Sequence, residues 1–262
     1  MNRLEAIKKI RNKLKAGNIS IGSWIQIPHP SVAEILAHAG YDWVAVDMEH
    51  GSISVNQLPD LFRALELGNT LPLARIKEVS LSNCKEALDA GAGGLILPMI
   101  EDDVQVKNAI SWSHWPPSGN RGVGFSRANL FGKYFDDYKQ EANSPLIIPM
   151  IESWKAIDSL EKILTECSVD AIMVGPYDLS ASLGDAGNFE TEIFKKSLNR
   201  IFSICIEKNV PFGIHVVTPN EDDLNLKIQE GFRWIAYGID SVFLNHSSSI
   251  LNFKRKIGIL NE

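Results

Sequence analysis

Two carboxylates, Glu152 and Asp178, each stand just past a short apolar run, while Arg75 and the turn Asp47-Met-Glu-His50 stand at the ends of two others. Carboxylate oxygens with no clustered Cys or His are hard donors, a set that favours Mg²⁺ or Mn²⁺ over zinc, with waters or substrate oxygens filling the other positions. A guanidinium nearby supplies fixed positive charge where an oxyanion develops. Histidine has the unperturbed pKa best suited to proton transfer near neutral pH. Taken singly, each residue also has a plain structural reading. Asp178 would cap the segment starting at Leu179, Glu152 would be a first-turn acid, Arg75 an ion-pair partner and His50 a loop residue. Their recurrence at the same end of different apolar runs is what favours a site.

Those runs belong to a regular alternation. A helix from Leu4 to Leu14, ended by Gly17, reads as a lid or plug. Strands are expected over 21–27, 43–47, 71–75, 94–97, 146–150, 171–174, 212–216 and 234–237. Between and after them, helical spacing covers 31–38 (capped by Ser31), 55–67, 81–90, 104–112, 154–164, 191–207, 220–229 and 241–256. The strands are short and apolar throughout, as strands buried on both faces are. Eight such units in 262 residues predict a (β/α)8 TIM barrel, one domain over 1–262 with an additional N-terminal helix. The runner-up, an open doubly wound sheet, lacks its G-x-G-x-x-G turn after the first strand. In a barrel the chemistry sits at the carboxyl ends of the strands, which is where these residues fall, with His215 inside the last turn of the seventh. Gly175 and Pro176 stop the sixth strand and let backbone approach something small. A turn-rich excursion, 115–138, is long enough to be functional, and with the N-terminal helix it is expected to shape a substrate pocket.

Composition narrows the partners. The formal net charge is −6, 45% of residues are hydrophobic and 22% are charged, which gives no basic surface for nucleic acid. The N-terminal stretch is too charged for a secretory segment, no apolar run approaches a membrane span, and Cys84, Cys167 and Cys205 lack C-x-x-C spacing, so a reducing, cytoplasmic location is expected.

The sequence resembles the HpcH/HpaI metal-dependent pyruvate aldolases of the phosphoenolpyruvate/pyruvate barrel superfamily, from Ile21 to about Gly258. The likeness is carried by Gly40-Tyr-Asp-Trp-Val-Ala-Val-Asp-Met-Glu-His50, Leu73-Ala-Arg75, Leu97-Pro-Met99, Asn120-Arg-Gly-Val-Gly124, Met150-Ile-Glu152 and Gly175-Pro-Tyr-Asp-Leu-Ser180. The resemblance implies that His50 is the general base and Asp47 its dyad partner. It implies that Asp89 reaches in from a neighbouring subunit to act on that base, and that Arg75 stabilises an enolate. Glu152 and Asp178 would bind the metal, with backbone at Tyr177 and Asp178 holding a pyruvate carboxylate. It further implies a hexamer with exchanged C-terminal helices, for which Phe243, Leu244, Ile250, Leu251 and Phe253 supply an apolar face. Met150 departs from the pattern: many members have Gln there, and a thioether cannot donate the amide hydrogen bond.

The expected activity is that of a class II aldolase, reversibly cleaving a 4-hydroxy-2-oxo acid to pyruvate and an aldehyde with Mg²⁺, Mn²⁺ or Co²⁺ as Lewis acid. No lysine ends a strand in these motifs, which disfavours Schiff-base chemistry. The alternatives are an oxaloacetate-type decarboxylase using the same enolate, a lyase of CoA thioesters, and a catalytically silent 2-oxo-acid-binding protein. A sugar-acid aldehyde, a semialdehyde and glyoxylate stay open as the aldehyde partner.

Overall fold

In the computed structural model, which describes residues 1–249, eight parallel strands close into a barrel in sequence order. The strands are β1 (Ser20–Ile25), β2 (Trp43–Asp47), β3 (Leu71–Arg75), β4 (Gly94–Ile100), β5 (Leu146–Ile151), β6 (Ile172–Val174), β7 (Phe212–Val216) and β8 (Trp234–Ile239). The helices are α1 (Arg3–Lys15), α2 (Pro30–Ala37), α3 (Leu58–Leu67), α4 (Leu81–Ala90), α5 (Asp103–Ser113) and α6 (Phe135–Glu141). They continue with α7 (Trp154–Glu166), α8 (Pro176–Ser182), α9 (Glu192–Glu207), α10 (Glu221–Gln229) and α11 (Asp240–Ser248). The barrel expected from the alternation is the fold observed. Its strands are almost wholly buried because helices cover one side and the barrel's own filling the other.

Two apolar clusters follow from that geometry. One lies between strands and helices, for example Val44, Leu61, Phe62, Leu95 and Ile157. The other fills the barrel, with Trp43 stacked on Trp234 at 4.2 Å between centroids and Ile7, Ile10 and Leu14 of α1 packed beneath. Gly22 makes that filling possible, since a Cβ there would collide with the Trp43 ring. Helix α1 is therefore a plug, and its polar contacts fix the end it closes. Lys13 pairs with Asp42, just before β2, and Arg11 pairs with Asp170, just before β6, each at 2.6 Å.

That position corrects one expectation. The helix closes the N-terminal end of the barrel, opposite the strand ends where the predicted site residues lie. The excursion does likewise within its own chain. It leaves the C-terminal end of α5 and returns to the start of β5, and Arg127 ties it to the Ala90 carbonyl at the end of α4. A second correction concerns α2. It begins at Pro30 and is capped by His29, whose Nδ1 accepts from the Ser31 N–H, so Ser31 lies inside the helix. Of the C-terminal residues expected to form an apolar face, Phe243 packs against the Tyr237 ring and Leu244 is exposed, whereas Ile250, Leu251 and Phe253 lie outside the described residues.

Candidate active site

Asp47 closes β2 and Arg75 closes β3, and the register pairs them directly. Nε and Nη2 of Arg75 donate to the two Asp47 oxygens at 2.9 and 2.7 Å, a bidentate pair in which the carboxylate is fully buried. Gln26, just past β1, donates to Asp47 Oδ2 at 2.9 Å, and its own carbonyl accepts from Ser241 Oγ at 3.0 Å. Burial would push the Asp47 carboxyl up, yet the bonds and charge of Arg75, the Gln26 amide and the His50 N–H together hold it below the usual carboxylate range.

The turn after Asp47 is folded by the same carboxylate. Asp47 Oδ1 accepts from the backbone N–H groups of Glu49 and His50, at 3.1 and 3.2 Å. Gly51 follows because a Cβ there would strike the Asp47 carbonyl. The imidazole of His50 consequently projects into the cavity, exposed. Asp47 positions His50 through its backbone, and the side-chain partner of Asp47 is Arg75.

Glu152 lies immediately past β5 and is 2% exposed. Its Oε2 accepts from the backbone N–H of Met99 at 2.9 Å. Met99 has φ 50° at an irregularity in the β4–β5 pairing, a bulge that turns this N–H toward the carboxylate. Burial pushes the Glu152 carboxyl up to about 7; the Met99 N–H opposes this, Glu49 and Asp178 add to it, and Arg75 opposes it. Beside it, Gly175 caps α8, and a Cβ on it would collide with Glu152 Oε1. Only glycine permits this approach of backbone to carboxylate. Asp178 sits in the first turn of α8 and lines the same cavity. The capping reading of Asp178 fails, since α8 starts at Pro176 and Asp178 stands inside it.

Glu49 was quoted in a motif but given no role from sequence. It is half-buried, with Oε2 at 3.2 Å from Arg75 Nη1 and no hydrogen bond of good geometry. Burial pushes its carboxyl up, with Arg75 and His50 opposing and Asp47 and Asp178 adding. Trp24 is the other omission. Its ring lies 4.5 Å beneath the Arg75 guanidinium and 5.6 Å from the ring of His215. Nε2 of His215 donates to the Gly238 carbonyl at 2.9 Å, and burial, with Arg75 beside it, lowers the imidazole to about 4. A base so weakened is poorly suited to take a hydroxyl proton, which favours His50 over His215. Met150 lies in the cavity wall with its sulfur 4.0 Å from Arg75 Nη1.

The cavity enclosed by these residues has a volume of about 290 Å³. Two larger hollows, of about 870 and 1110 Å³, open around α1, α5, α6 and the excursion, and contain none of the predicted site residues. The small cavity is the chemical one because the convergent polar groups are there. Asp89 lies in the last turn of α4, in the field of Arg121 and Lys85, and does not reach the site of its own chain.

The donor set fits a divalent ion. Glu152 and Asp178 line the cavity beside the Arg75 guanidinium that Asp47 already occupies, Glu49 lies against the same guanidinium, and Gly175 leaves Glu152 Oε1 unobstructed. Glu152 and Asp178 are the two carboxylates that line the cavity, and no group of three or more His, Cys, Asp or Glu able to hold a metal occurs among the described residues. Oxygen donors in that number suit an ion that retains water or substrate oxygens.

Similarity to known proteins runs over most of the chain. The family described as HpcH/HpaI aldolase/citrate lyase matches residues 20–247. A 4-hydroxy-2-oxovalerate aldolase of Novosphingobium aromaticivorans is 34% identical over 239 residues, 90% of this chain and 89% of that one. A 5-keto-4-deoxy-D-glucarate aldolase of Escherichia fergusonii is 33% identical over 233 residues, 88% of this chain and 90% of that one. The crystal structure of a protein of the same family from Burkholderia cenocepacia superposes with a TM-score of 0.87 at 30% identity, covering 95% of this chain and 99% of that one.

Proposed function

The chain belongs to the HpcH/HpaI aldolase/citrate lyase family, and from that premise we propose that it is a class II pyruvate aldolase. It reversibly cleaves a 4-hydroxy-2-oxo acid to pyruvate and an aldehyde. The observation that carries this reading is the arrangement around Arg75: a guanidinium fixed by buried Asp47, facing Glu152 and Asp178 across a cavity into which His50 projects.

Glu152 and Asp178 would hold a divalent ion, Mg²⁺, Mn²⁺ or Co²⁺, which supplies Lewis-acid polarisation of the 2-oxo group. His50 takes the proton of the 4-hydroxyl. The C3–C4 bond then breaks, its electron pair passing to the pyruvate fragment as the aldehyde carbonyl forms. Arg75 has N–H groups beyond the two given to Asp47, and these face the enolate oxygen as charge develops there. Backbone N–H groups of Tyr177 and Asp178, in the first turn of α8, take the pyruvate carboxylate while Pro176, lacking an N–H, fixes the turn's start. Met150 supplies contact but no hydrogen-bond donation to that pose. Asp89 acts on His50 of a neighbouring subunit in a hexamer. No helix among the described residues is long and apolar enough to cross a membrane, and the cytoplasmic location in this reading rests on the charged N-terminal stretch and on cysteines without C-x-x-C spacing.

The test is cleavage of a 4-hydroxy-2-oxo acid, followed by pyruvate release. EDTA should abolish it and Mg²⁺, Mn²⁺ or Co²⁺ restore it. Full activity in rigorously metal-free protein would refute the mechanism.

A further inference from the structure

We infer that the hollow of about 870 Å³ beside α1, at the N-terminal end of the barrel, binds a small phosphate monoester carrying a free hydroxyl, at a site separate from the aldolase cavity. This goes beyond the aldolase reading and does not depend on it. The volume lies within the range of small-molecule pockets.

Charge is the first support. The chain is acidic, with a formal net charge of −6, so a cationic hollow is a local arrangement and no consequence of composition. Arg11 and Lys15 stand one turn apart on the same face of α1. The turn that follows brings Arg233 to them, because the N–H of Ser20, which opens β1, donates to the Arg233 carbonyl at 2.7 Å. Asp170, the sole carboxylate lining the hollow among the described residues, is matched by Arg11 through Nε at 2.6 Å and Nη2 at 3.3 Å. Lys15 and Arg233 line the same hollow with no carboxylate partner among the described residues. Each also has a structural duty. Lys15 suits the C-terminal dipole of α1, and Arg233 Nη1 donates to the Ile228 and Phe232 carbonyls at 3.1 and 2.9 Å. Neither duty neutralises a full charge. Two uncompensated cations on one hollow suit a dianion, and a phosphate monoester carries both charges and three acceptor oxygens on a single group.

The second support is a pair of acceptors. Arg11 Nη2 donates to the Pro145 carbonyl at 2.9 Å, which sets the segment before β5 against α1. In that segment Asn143 gives Nδ2 to the Lys139 carbonyl at 3.3 Å, while its Oδ1 is buried without a donor. His114 gives Nδ1 to the Ile110 carbonyl at 2.7 Å, and burial lowers its pKa, so the ring is neutral at pH 7 and Nε2 is an acceptor. A buried acceptor left without a donor is a cost that a ligand hydroxyl removes. Free phosphate answers the cations alone, whereas a hydroxyl-bearing ester answers both sets.

The test is calorimetry on metal-loaded protein in low-salt buffer, with glycerol 3-phosphate, inorganic phosphate and succinate as probes. Glycerol 3-phosphate should bind at one site per chain. Lys15→Gln and Arg233→Gln should each weaken it about tenfold or more, with cleavage of the oxo acid unaltered, and Glu152→Gln, at the opposite end, should leave the affinity unchanged. Asn143→Ala should weaken glycerol 3-phosphate and not inorganic phosphate. Absence of binding would overturn the inference. Binding that survives both cation variants and disappears in Glu152→Gln would assign the phosphate to the aldolase cavity, overturning the inference and leaving the aldolase reading in place. Succinate bound as tightly as glycerol 3-phosphate would overturn the phosphate assignment, and an equal loss of both phosphate probes in Asn143→Ala would overturn the hydroxyl contact.

Discussion

Charged side chains gather at both ends of this barrel, but with different bookkeeping. At the N-terminal end Glu66 lies between Arg3 and Arg127, at 2.9 and 2.8 Å, Glu141 pairs with Arg3 at 2.6 Å, and Asp42 and Asp170 have Lys13 and Arg11. Each acid has its base. At the C-terminal end Asp47, Glu49, Glu152 and Asp178 share the neighbourhood of Arg75, their one cation among the described residues. Paired charges hold elements together, whereas an uncompensated cluster of carboxylates is retained against its electrostatic cost because it binds something. The contrast teaches where structure ends and chemistry begins in this fold.

Substitution should therefore have opposite consequences at the two ends. Glu152→Gln keeps an acceptor for the Met99 N–H but removes charge from the crowded site. Cleavage should fall by about 10³-fold or more as metal binding is lost, while thermal unfolding of the metal-free protein at pH 8 shifts upward. A variant with normal Mn²⁺ affinity by calorimetry would remove Glu152 from the ligand set. His50→Ala should lower cleavage by roughly 10²- to 10⁴-fold with metal affinity unchanged; near-normal turnover would make the imidazole a loop residue. Arg75→Lys keeps the charge yet cannot hold both Asp47 oxygens, and a fall in kcat of about 10²-fold is expected. If its rate matched wild type, Arg75 would belong with the structural pairs of the other end.

At the N-terminal end the effect moves from rate to stability. Glu66→Gln leaves two largely buried arginines short of a partner and should cost about 2 to 3 kcal/mol in urea unfolding, with kcat unaltered. An equally stable variant would mean that these pairs are not the brace that the contrast requires. The smallest effect concerns pH. His215 has a folded pKa near 4, below its unfolded value of about 6.5. A depressed pKa gives stability that is fully present above pH 6.5 and lost as pH falls toward 4. His215→Gln should flatten this loss by about 2 kcal/mol, allowing for partial exposure. Parallel stability curves for the two proteins would contradict the assigned burial effect.

Much of this was legible in sequence because parallel strands announce themselves as short apolar runs and the residue ending each one is thereby placed. Asp47, Arg75, Glu152 and Asp178 were found that way. What escaped depended on contacts between distant segments. The pattern of α1 says that Ile7, Ile10 and Leu14 are buried, but not at which barrel end. The partner of Asp47 is set by β2–β3 register, which pairs it with Arg75 and leaves His50 only a backbone contact. The Met99 N–H reaches Glu152 through a bulge at Pro98 and Met99 that no residue type there announces. Glu49 was visible beside His50, but nothing local distinguishes an acid turned toward a buried arginine from one facing solvent.

The central claim is that the unbalanced end of the barrel binds a divalent ion and stabilises the pyruvate enolate. It is tested most directly by incubating protein and pyruvate in D₂O without any aldehyde and following the methyl signal by proton NMR. With Mg²⁺ or Mn²⁺ the methyl protons should exchange for deuterium, and exchange should stop with EDTA, in Glu152→Gln and in Arg75→Lys. Retention of the methyl signal in the metal-loaded wild-type protein, or exchange that persists in metal-free protein, would contradict the account.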